Sequence, residues 1–327
     1  MKILVTGGAG YIGSFMVRRL LEKKYDITVL DNLERGNQQA VDNRAVFVKG
    51  DILDDRFIKS LFKDDSFDCI LHFAGYISME ESIKDPGLYF RNNTYGALNL
   101  IESSVKNGVK KFIFSSTAGV YGNPIKTPIP EDHPTNPTNP YGESKLMVEK
   151  ILLWYSKIFG LNFVSLRYFN AAGASLDGSV GENHIPESHI IPLAIRAALQ
   201  NSEFNLYGDD YKTPDGTCIR DYIHVIDLVG AHILALEKLQ NDKGQYFYNV
   251  GTGEGYSNKE VLEMIKKISK KDLKIKITKR RPGDAEILIA DPTKIGKELG
   301  FSPKYSDLET IVKTAWEWHK NNLKFKI

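Results

Sequence analysis

"KILVTGGAGYIGS", residues 2–14, is the stretch whose reading decides the fold. Its first six residues read as a buried strand, and Tyr11 to Leu21 reads as a helix. Between them Gly7, Gly10 and Gly13 are spaced Gly-x-x-Gly-x-x-Gly. In a strand–turn–helix context the first glycine permits a tight turn. The second lets the backbone approach a pyrophosphate, and the third lets helix and strand pack closely. The helix start offers free N–H groups and the positive end of its dipole to the phosphates. A dinucleotide is therefore the expected ligand. Asp31 ends the next strand, where a carboxylate accepts hydrogen bonds from ribose hydroxyls and repels a 2′-phosphate. That favours NAD over NADP, with Arg35 nearby as a counterweight. Asp51, closing the third strand, either faces the adenine amine or caps the helix that begins in "ILDDRFIKSLF" (52–62). "GTGEG" (251–255) resembles a phosphate loop but lacks a correctly spaced third glycine and an acidic ribose partner, so it reads as a structural turn.

The rhythm around this stretch fixes the class. Strands are predicted at 2–7, 26–31, 45–51, 67–75, 109–116 and 161–170, with long helices near 86–107 and 141–159. Short β-rich runs alternating with helices predict an α/β fold, a doubly wound parallel sheet of the Rossmann kind. Such sheets bind ligands beyond the C-terminal ends of their strands. After Asn170 the alternation fails, and helices near 189–200, 227–239 and 257–270 are interspersed with short strands. A smaller C-terminal α/β domain is expected there. Residues 1–172 form the nucleotide-binding domain, 218–250 pack back onto it, and 173–217 with 251–327 form the second.

Bulk properties narrow the function classes. The chain has 327 residues, 42% of them hydrophobic and 26% charged, with a net charge of +2, too small to favour a nucleic-acid or membrane-surface partner. No apolar run approaches the roughly 20 residues that span a bilayer. The N-terminus lacks the long apolar segment and cleavage site of a signal peptide, so a cytoplasmic location is expected. Cys69 and Cys218 are isolated, read as buried small residues, and give no metal-ligand spacing; no metal is expected.

The chemistry sits in two further segments. "SSTAGVYG" (115–122) places three hydroxyls at the end of a buried strand, followed by the inert Ala118 and Gly119. "NPYGESKLMVE" (139–149) begins a helix in which Tyr141 and Lys145, four apart, share one face. A neighbouring ammonium lowers a tyrosine pKa, so Lys145 is expected to bring Tyr141 toward neutrality as an acid–base for a sugar or alcohol hydroxyl.

With these segments in place, the chain resembles the extended short-chain dehydrogenase/reductase family, and within it the UDP-glucose 4-epimerases, along nearly its whole length. The matching segments are "TGGAGYIGS" (6–14), "DNL" (31–33), "HFAG" (72–75), "FIFSSTAGVYG" (112–122), "NPYGESKLMVE" (139–149), "LRYFNAAGA" (166–174), "YGDDYKTPDGTCIRDYIHV" (207–225), "YNVGTGEGYSNKEV" (248–261) and "RRPGDAEILIAD" (280–291). The resemblance implies an NAD-dependent isomerase that interconverts UDP-glucose and UDP-galactose through a transient 4-keto sugar. Tyr141 would take the proton from the 4-hydroxyl, Thr117 would bond the 4-oxygen, and Lys145 would bind the nicotinamide ribose. NAD contacts are implied for Gly7, Gly10, Tyr11, Ile12, Gly13, Asp31, Asn32, Asp51, Ile52, Phe73, Ala74, Gly75, Asn92, Ser115, Tyr141, Lys145 and Tyr168. Substrate contacts are implied for Thr117, Asn170, His189, Asn205, Tyr207, Arg220, Arg281, Asp284 and Leu288. Arg220 and Arg281 would pair with the diphosphate, Asp284 with the uridine ribose, and Asn205 and Tyr207 with the uracil. A homodimer through the helices near 86–107 and 141–159 is also implied.

Three positions depart from that pattern. Ile77 stands where several members carry a lysine near the nicotinamide, and His189 where many carry an asparagine. Leu288 stands at the position that gates the sugar pocket, where tyrosine excludes N-acetylated sugars and small residues admit them. Its intermediate bulk predicts that UDP-N-acetylglucosamine and UDP-N-acetylgalactosamine are also accepted. The alternatives are a nucleotide-sugar 4,6-dehydratase, another enzyme of the same scaffold, or a non-catalytic NAD-binding regulator. A dehydratase needs an acid and a base beside Thr117, where this chain has Ala118 and Gly119. A regulator has no reason to keep Thr117, Tyr141 and Lys145 together.

Overall fold

Apolar runs without alternation predict strands buried on both faces, and the first strand is so placed: Ile3, Leu4 and Val5 have no exposed surface. The computed structural model describes residues 1–281 and 283–322; Pro282, inside segment 280–291, and 323–327, the end of the expected second domain, lie outside the described residues. The chain runs β1 (Lys2–Thr6), α1 (Tyr11–Glu22), β2 (Asp26–Asp31), β3 (Val46–Lys49), α2 (Asp55–Asp64) and β4 (Cys69–His72). Next come α3 (Met79–Lys84), α4 (Pro86–Tyr89), a π-helical turn (Phe90–Tyr95), α5 (Gly96–Lys106), β5 (Lys111–Thr117), α6 (Pro140–Phe159) and β6 (Asn162–Tyr168). The remainder holds β7 (Asn170–Ala172), α7 (Ile190–Gln200), β8 (Glu203–Tyr207), β9 (Ile219–Arg220), β10 (Tyr222–His224), α8 (Val225–Asn241) and β11 (Gln245–Val250). It closes with β12 (Tyr256–Ser257), α9 (Asn258–Ser269), β13 (Lys274–Thr278), β14 (Ile287–Leu288), α10 (Thr293–Leu299) and α11 (Leu308–Asn322).

Seven strands form one sheet in the order β11-β6-β5-β4-β1-β2-β3, and every neighbouring pair is parallel. The chain first builds outward from β1 through β2 to β3, then returns to the other side of β1 with β4. That reversal opens a crevice at the C-terminal ends of β1 and β4, where ligands bind in such sheets. The glycine loop after β1 and the segment Phe73–Gly75 after β4 form its two lips. On one face Met16, Val17 and Leu20 of α1 share a core with Leu228 and Leu236 of α8. On the other, Ile58 and Phe62 of α2, Leu100 and Ile101 of α5 and Val148 and Leu152 of α6 share another. A third core joins α7, α9 and α11 with β8, through Ile195, Phe204, Leu262 and Val312.

The helix expected near 86–107 runs unbroken from Pro86 to Lys106, with a π turn over Phe90–Tyr95 that carries Asn92 and Asn93 into the interior. Residue 51 does not cap the second helix, because Asp54 does, accepting from the N–H groups of Arg56 and Phe57. Asp51 instead accepts from Leu53 N at 2.8 Å and from the Asn32 amide at 3.1 Å, which holds it at the cavity edge. The "GTGEG" turn is fastened from inside: the buried Asp221 carboxylate accepts from Thr252 N (2.8 Å), Gly253 N (3.0 Å) and Ala290 N (3.1 Å).

Candidate active site

The glycine loop is shaped by close approach. A Cβ at Gly13 would lie 2.2 Å from the Gly7 carbonyl oxygen, so no side chain fits there. Gly10 caps α1 without a side-chain bond, which leaves the first N–H groups of the helix free for an anion. Two N–H groups orient Asp31: Ala9 N donates to Oδ2 at 3.0 Å and Leu33 N to Oδ1 at 2.9 Å. Burial raises the Asp31 pKa, and those two hydrogen bonds oppose the rise. A glycine cradle, an uncapped helix start and an oriented carboxylate fit a dinucleotide with its pyrophosphate on α1 and its ribose on Asp31.

One cavity of about 350 Å³ runs along this crevice. It brings together every residue expected to touch the cofactor, and with them Thr117, Asn170, His189, Arg220, Asp284 and Leu288. Asn205, Tyr207 and Arg281 line a separate small depression, which shares Ser188 and Asp284 with the main cavity. There the Arg281 guanidinium lies 3.9 Å over the Tyr207 ring, and its buried Nε has no hydrogen-bond partner among the described residues. The Arg220 guanidinium donates to Ile219 O at 2.9 Å and stands 3.7 Å from the Asp284 carboxylate. Ile77, 36% exposed, lines the main cavity and brings no charge to it.

The three hydroxyls of "SSTAGVYG" divide by strand alternation. Ser116 turns away and donates to Glu149 Oε1 at 2.7 Å, inside a buried network with Arg167. Thr117 accepts from Gly119 N at 3.0 Å and lines the cavity together with Tyr141. The first turn of α6, capped by Asn139 on Gly142 N at 2.9 Å, delivers Tyr141 to that place. The Lys145 ammonium donates to the Ser115 carbonyl at 2.9 Å, and burial lowers its pKa to about 8.

The expected lowering of the Tyr141 pKa is corrected by the structure. Burial raises it, and the neighbouring Thr117 side chain only partly opposes that; Lys145 is not among the causes. A shared helix face gives no charge coupling here because burial drops Lys145 to about 8, so its amine loses its charge before the upward-pushed Tyr141 gives up its proton. His189 caps α7 with its Nδ1 against Glu182, and the Tyr168 hydroxyl is bonded to His232. Arg35 is committed as well: it pairs with Glu81 at 2.8 Å, stacks over Tyr76 and donates to Ile185 O at 3.4 Å.

Sequence reasoning missed Asn93. Its Oδ1 accepts from Tyr76 N at 2.8 Å, and its amide donates to Tyr76 O (3.0 Å) and Ser144 Oγ (3.2 Å). It thereby ties the lip after β4 to the residue before Lys145. Only the π turn aims it there, and no sequence pattern marks that turn.

Residues 3–251 match the model of the NAD dependent epimerase/dehydratase family. The chain belongs to this family. Its cofactor is NAD. A UDP-glucose 4-epimerase from Lacticaseibacillus casei is 48% identical over 98% of each chain. The UDP-glucose 4-epimerase from Bifidobacterium longum, solved with NAD+ and UDP, is 37% identical, with a TM-score of 0.94 over 99% of both chains. The UDP-Glc/GlcNAc 4-epimerase of Campylobacter jejuni is 43% identical, with a TM-score of 0.85 over 98% of this chain and 99% of that one. Among the described residues no helix is long and apolar enough to cross a membrane.

Proposed function

We propose that this chain is the 4-epimerase of UDP-glucose and UDP-galactose, with Tyr141 as its acid–base. The carrying observation is that Thr117, Tyr141 and Lys145 line one dinucleotide cavity, in which Ala118 and Gly119 offer no further acid or base. Bound NAD supplies reversible two-electron redox chemistry at the sugar C4. Tyr141 takes the proton from the 4-hydroxyl and returns it after the 4-keto sugar has presented its opposite face. Thr117 holds the 4-oxygen against Tyr141. The Thr117 side chain opposes the upward push of burial on Tyr141, and any further lowering must come from charge that enters with the ligands.

Lys145, fixed on Ser115 O, holds the nicotinamide ribose in this reading. Arg220 and Arg281 receive the diphosphate, where guanidinium forks suit phosphate oxygens. The orphaned Arg281 Nε supports that role. Asn205 and Tyr207 take the uracil, Asp284 the uridine ribose, and Asn170, His189 and Leu288 border the sugar. Residues 1–172 with 218–250 serve NAD, and 173–217 with 251–327 serve the UDP-sugar. N-acetylated UDP-hexosamines are second substrates, because Leu288 brings no hydroxyl and less bulk than tyrosine to the cavity wall.

A homodimer belongs to the same reading. α6 exposes Met147, Leu153, Trp154 (59%), Ile158 (62%) and Phe159 (50%), a patch too apolar for ordinary helix surface. Two free, buried cysteines support a reducing, cytoplasmic location.

The test supplies UDP-galactose without added cofactor and resolves the products. UDP-glucose approaching equilibrium supports epimerisation. A keto sugar that has lost water supports the dehydratase, and no product supports the regulator. Tyr141→Phe is expected to lower kcat about 10²–10⁴-fold with NAD content unchanged; near-normal turnover removes Tyr141 from its role.

A further inference from the structure

The segment GENHIPESH (181–189) joins the two domains, and its acid and imidazole side chains converge. Glu182, His184, Glu187 and His189 each bring one ligand atom, all within 4.8 Å of one another. His184 Nδ1 lies 3.2 Å from Glu182 Oε1 and 3.7 Å from Glu187 Oε1. His189 Nδ1 lies 3.7 Å from Glu187 Oε1 and closer still to Glu182 Oε1. Ligands about 2.0–2.1 Å from a tetrahedral zinc stand roughly 3.3–3.4 Å apart; His184 Nδ1 is near that spacing from both carboxylates, and His189 Nδ1 would draw back from Glu182 Oε1 to admit the ion.

One observation points to a missing partner: the buried His184 Nδ1, 3.2 Å from Glu182 Oε1, makes no hydrogen bond among the described residues. Buried polar atoms are nearly always paired. The Arg196 guanidinium stands 3.8 Å from Glu187 Oε2, while Oε1, which faces the two imidazoles, is held in place by Ser188 N (2.8 Å) and His189 N (3.0 Å).

We propose that Glu182, His184, Glu187 and His189 bind one divalent transition-metal ion of the zinc type. Two carboxylates balance a dication, and two neutral imidazoles complete a four-coordinate set. Imidazole donors favour zinc over magnesium or calcium, which prefer oxygen. Four protein ligands leave no open position, so the ion is structural. It joins Glu182 to the start of α7 at His189. His184 packs edge-on against Tyr11 of the glycine-loop helix, and His184, Ser188 and His189 line the cavity. The metal thus fixes the cavity wall that faces the glycine loop.

Without a metal, two protonated imidazoles would balance the same two carboxylates, and the experiment separates the two cases. The full chain is expressed without a polyhistidine tag in zinc-supplemented medium, dialysed against metal-free buffer, and assayed for metal by mass spectrometry. About one zinc per chain is expected, together with a Tm that falls on chelation and recovers with Zn²⁺ but not Mg²⁺. Glu182→Gln and Glu187→Gln should each weaken zinc binding at least about 10–100-fold, as losses around metal sites do. Less than about a tenth of a zinc per chain in the wild type, with a Tm indifferent to Zn²⁺, overturns the proposal. So does a folded Glu187→Gln protein that holds zinc as tightly as the wild type. Should the variants fail to fold, the wild-type metal content and Tm response decide the matter alone.

Discussion

Gly142→Ala tests how the fold sets the reacting geometry. Gly142 lies one residue after Tyr141, and a Cβ there would sit 2.5 Å from the Gly119 carbonyl oxygen. That is about 0.9 Å inside the 3.4 Å at which ordinary contact begins. The Gly119 carbon at 3.1 Å and Pro137 Cβ at 3.2 Å close the other escape routes. Either the first turn of α6 withdraws, carrying Tyr141 and Lys145, or the turn after β5 withdraws, carrying Thr117. A misplacement near 1 Å costs on the order of 100-fold in rate. The expected fall in kcat is therefore about 10–100-fold, equivalent to about 1.4–2.7 kcal/mol of barrier. Global stability changes less, because alanine gains about 0.5–1 kcal/mol over glycine in a helix and offsets part of the overpacking. The assay is steady-state conversion of UDP-galactose at saturation, with NAD content read after denaturation. Gly230→Ala in α8, where an added Cβ meets nothing within 4 Å, serves as the control. A Gly142→Ala enzyme with kcat within about twofold of wild type refutes the claim that this contact positions Tyr141.

Other perturbations have equally definite outcomes. Burial depresses the Lys145 pKa from 10.5 to about 8, so the folded protein carries an unfavourable charge below pH 8, and that penalty is relieved as pH rises toward 10.5. Cofactor-free Lys145→Met should gain about 2 kcal/mol of stability at pH 7, lose the gain across that window, and lose turnover; a lower Tm at pH 7 contradicts this. Glu149→Gln leaves the Arg167 guanidinium, now bidentate on Glu149 at 2.8 and 3.1 Å, without its counter-ion. Denaturant unfolding should show a loss of about 3–5 kcal/mol, and a loss under about 1 kcal/mol would mean water reaches the pair. Leu288→Tyr should cut turnover of UDP-N-acetylgalactosamine at least about tenfold more than that of UDP-galactose, and equal losses contradict the gating role. Trp154→Asp should shift sedimentation from dimer to monomer while leaving the far-UV circular dichroism unchanged, and a persisting dimer places the interface elsewhere.

Local features were legible wherever chemistry and spacing coincide. The buried strands, the glycine loop and the Asp31 position follow from patterns within about thirty residues, because a parallel strand buried on both faces must be continuously apolar. Tyr141 and Lys145 were visible as an i, i+4 pair, and the cavity contains both. Features set by distant contacts were not. The sequence could not indicate that Ser116 belongs to Glu149 while Thr117 faces the cavity with Tyr141, nor that Lys145 spends its hydrogen bond on Ser115. Asn93 was invisible because a π turn leaves no compositional trace. The short strands β13 and β14 went unseen because their pairing partners, β8 and β9, lie more than sixty residues away.

By itself, then, the sequence determined the sheet class, the nucleotide end, and the identities of the hydroxyl, phenol and amine that meet substrate. These are properties of residue type and local spacing. Tertiary structure decided which atoms those groups face, and so their protonation. Burial raises Tyr141 instead of Lys145 lowering it, and four acid and imidazole side chains of one loop converge into a single cluster. Desolvation and convergence depend on what other elements pack around a residue, and no local pattern encodes that.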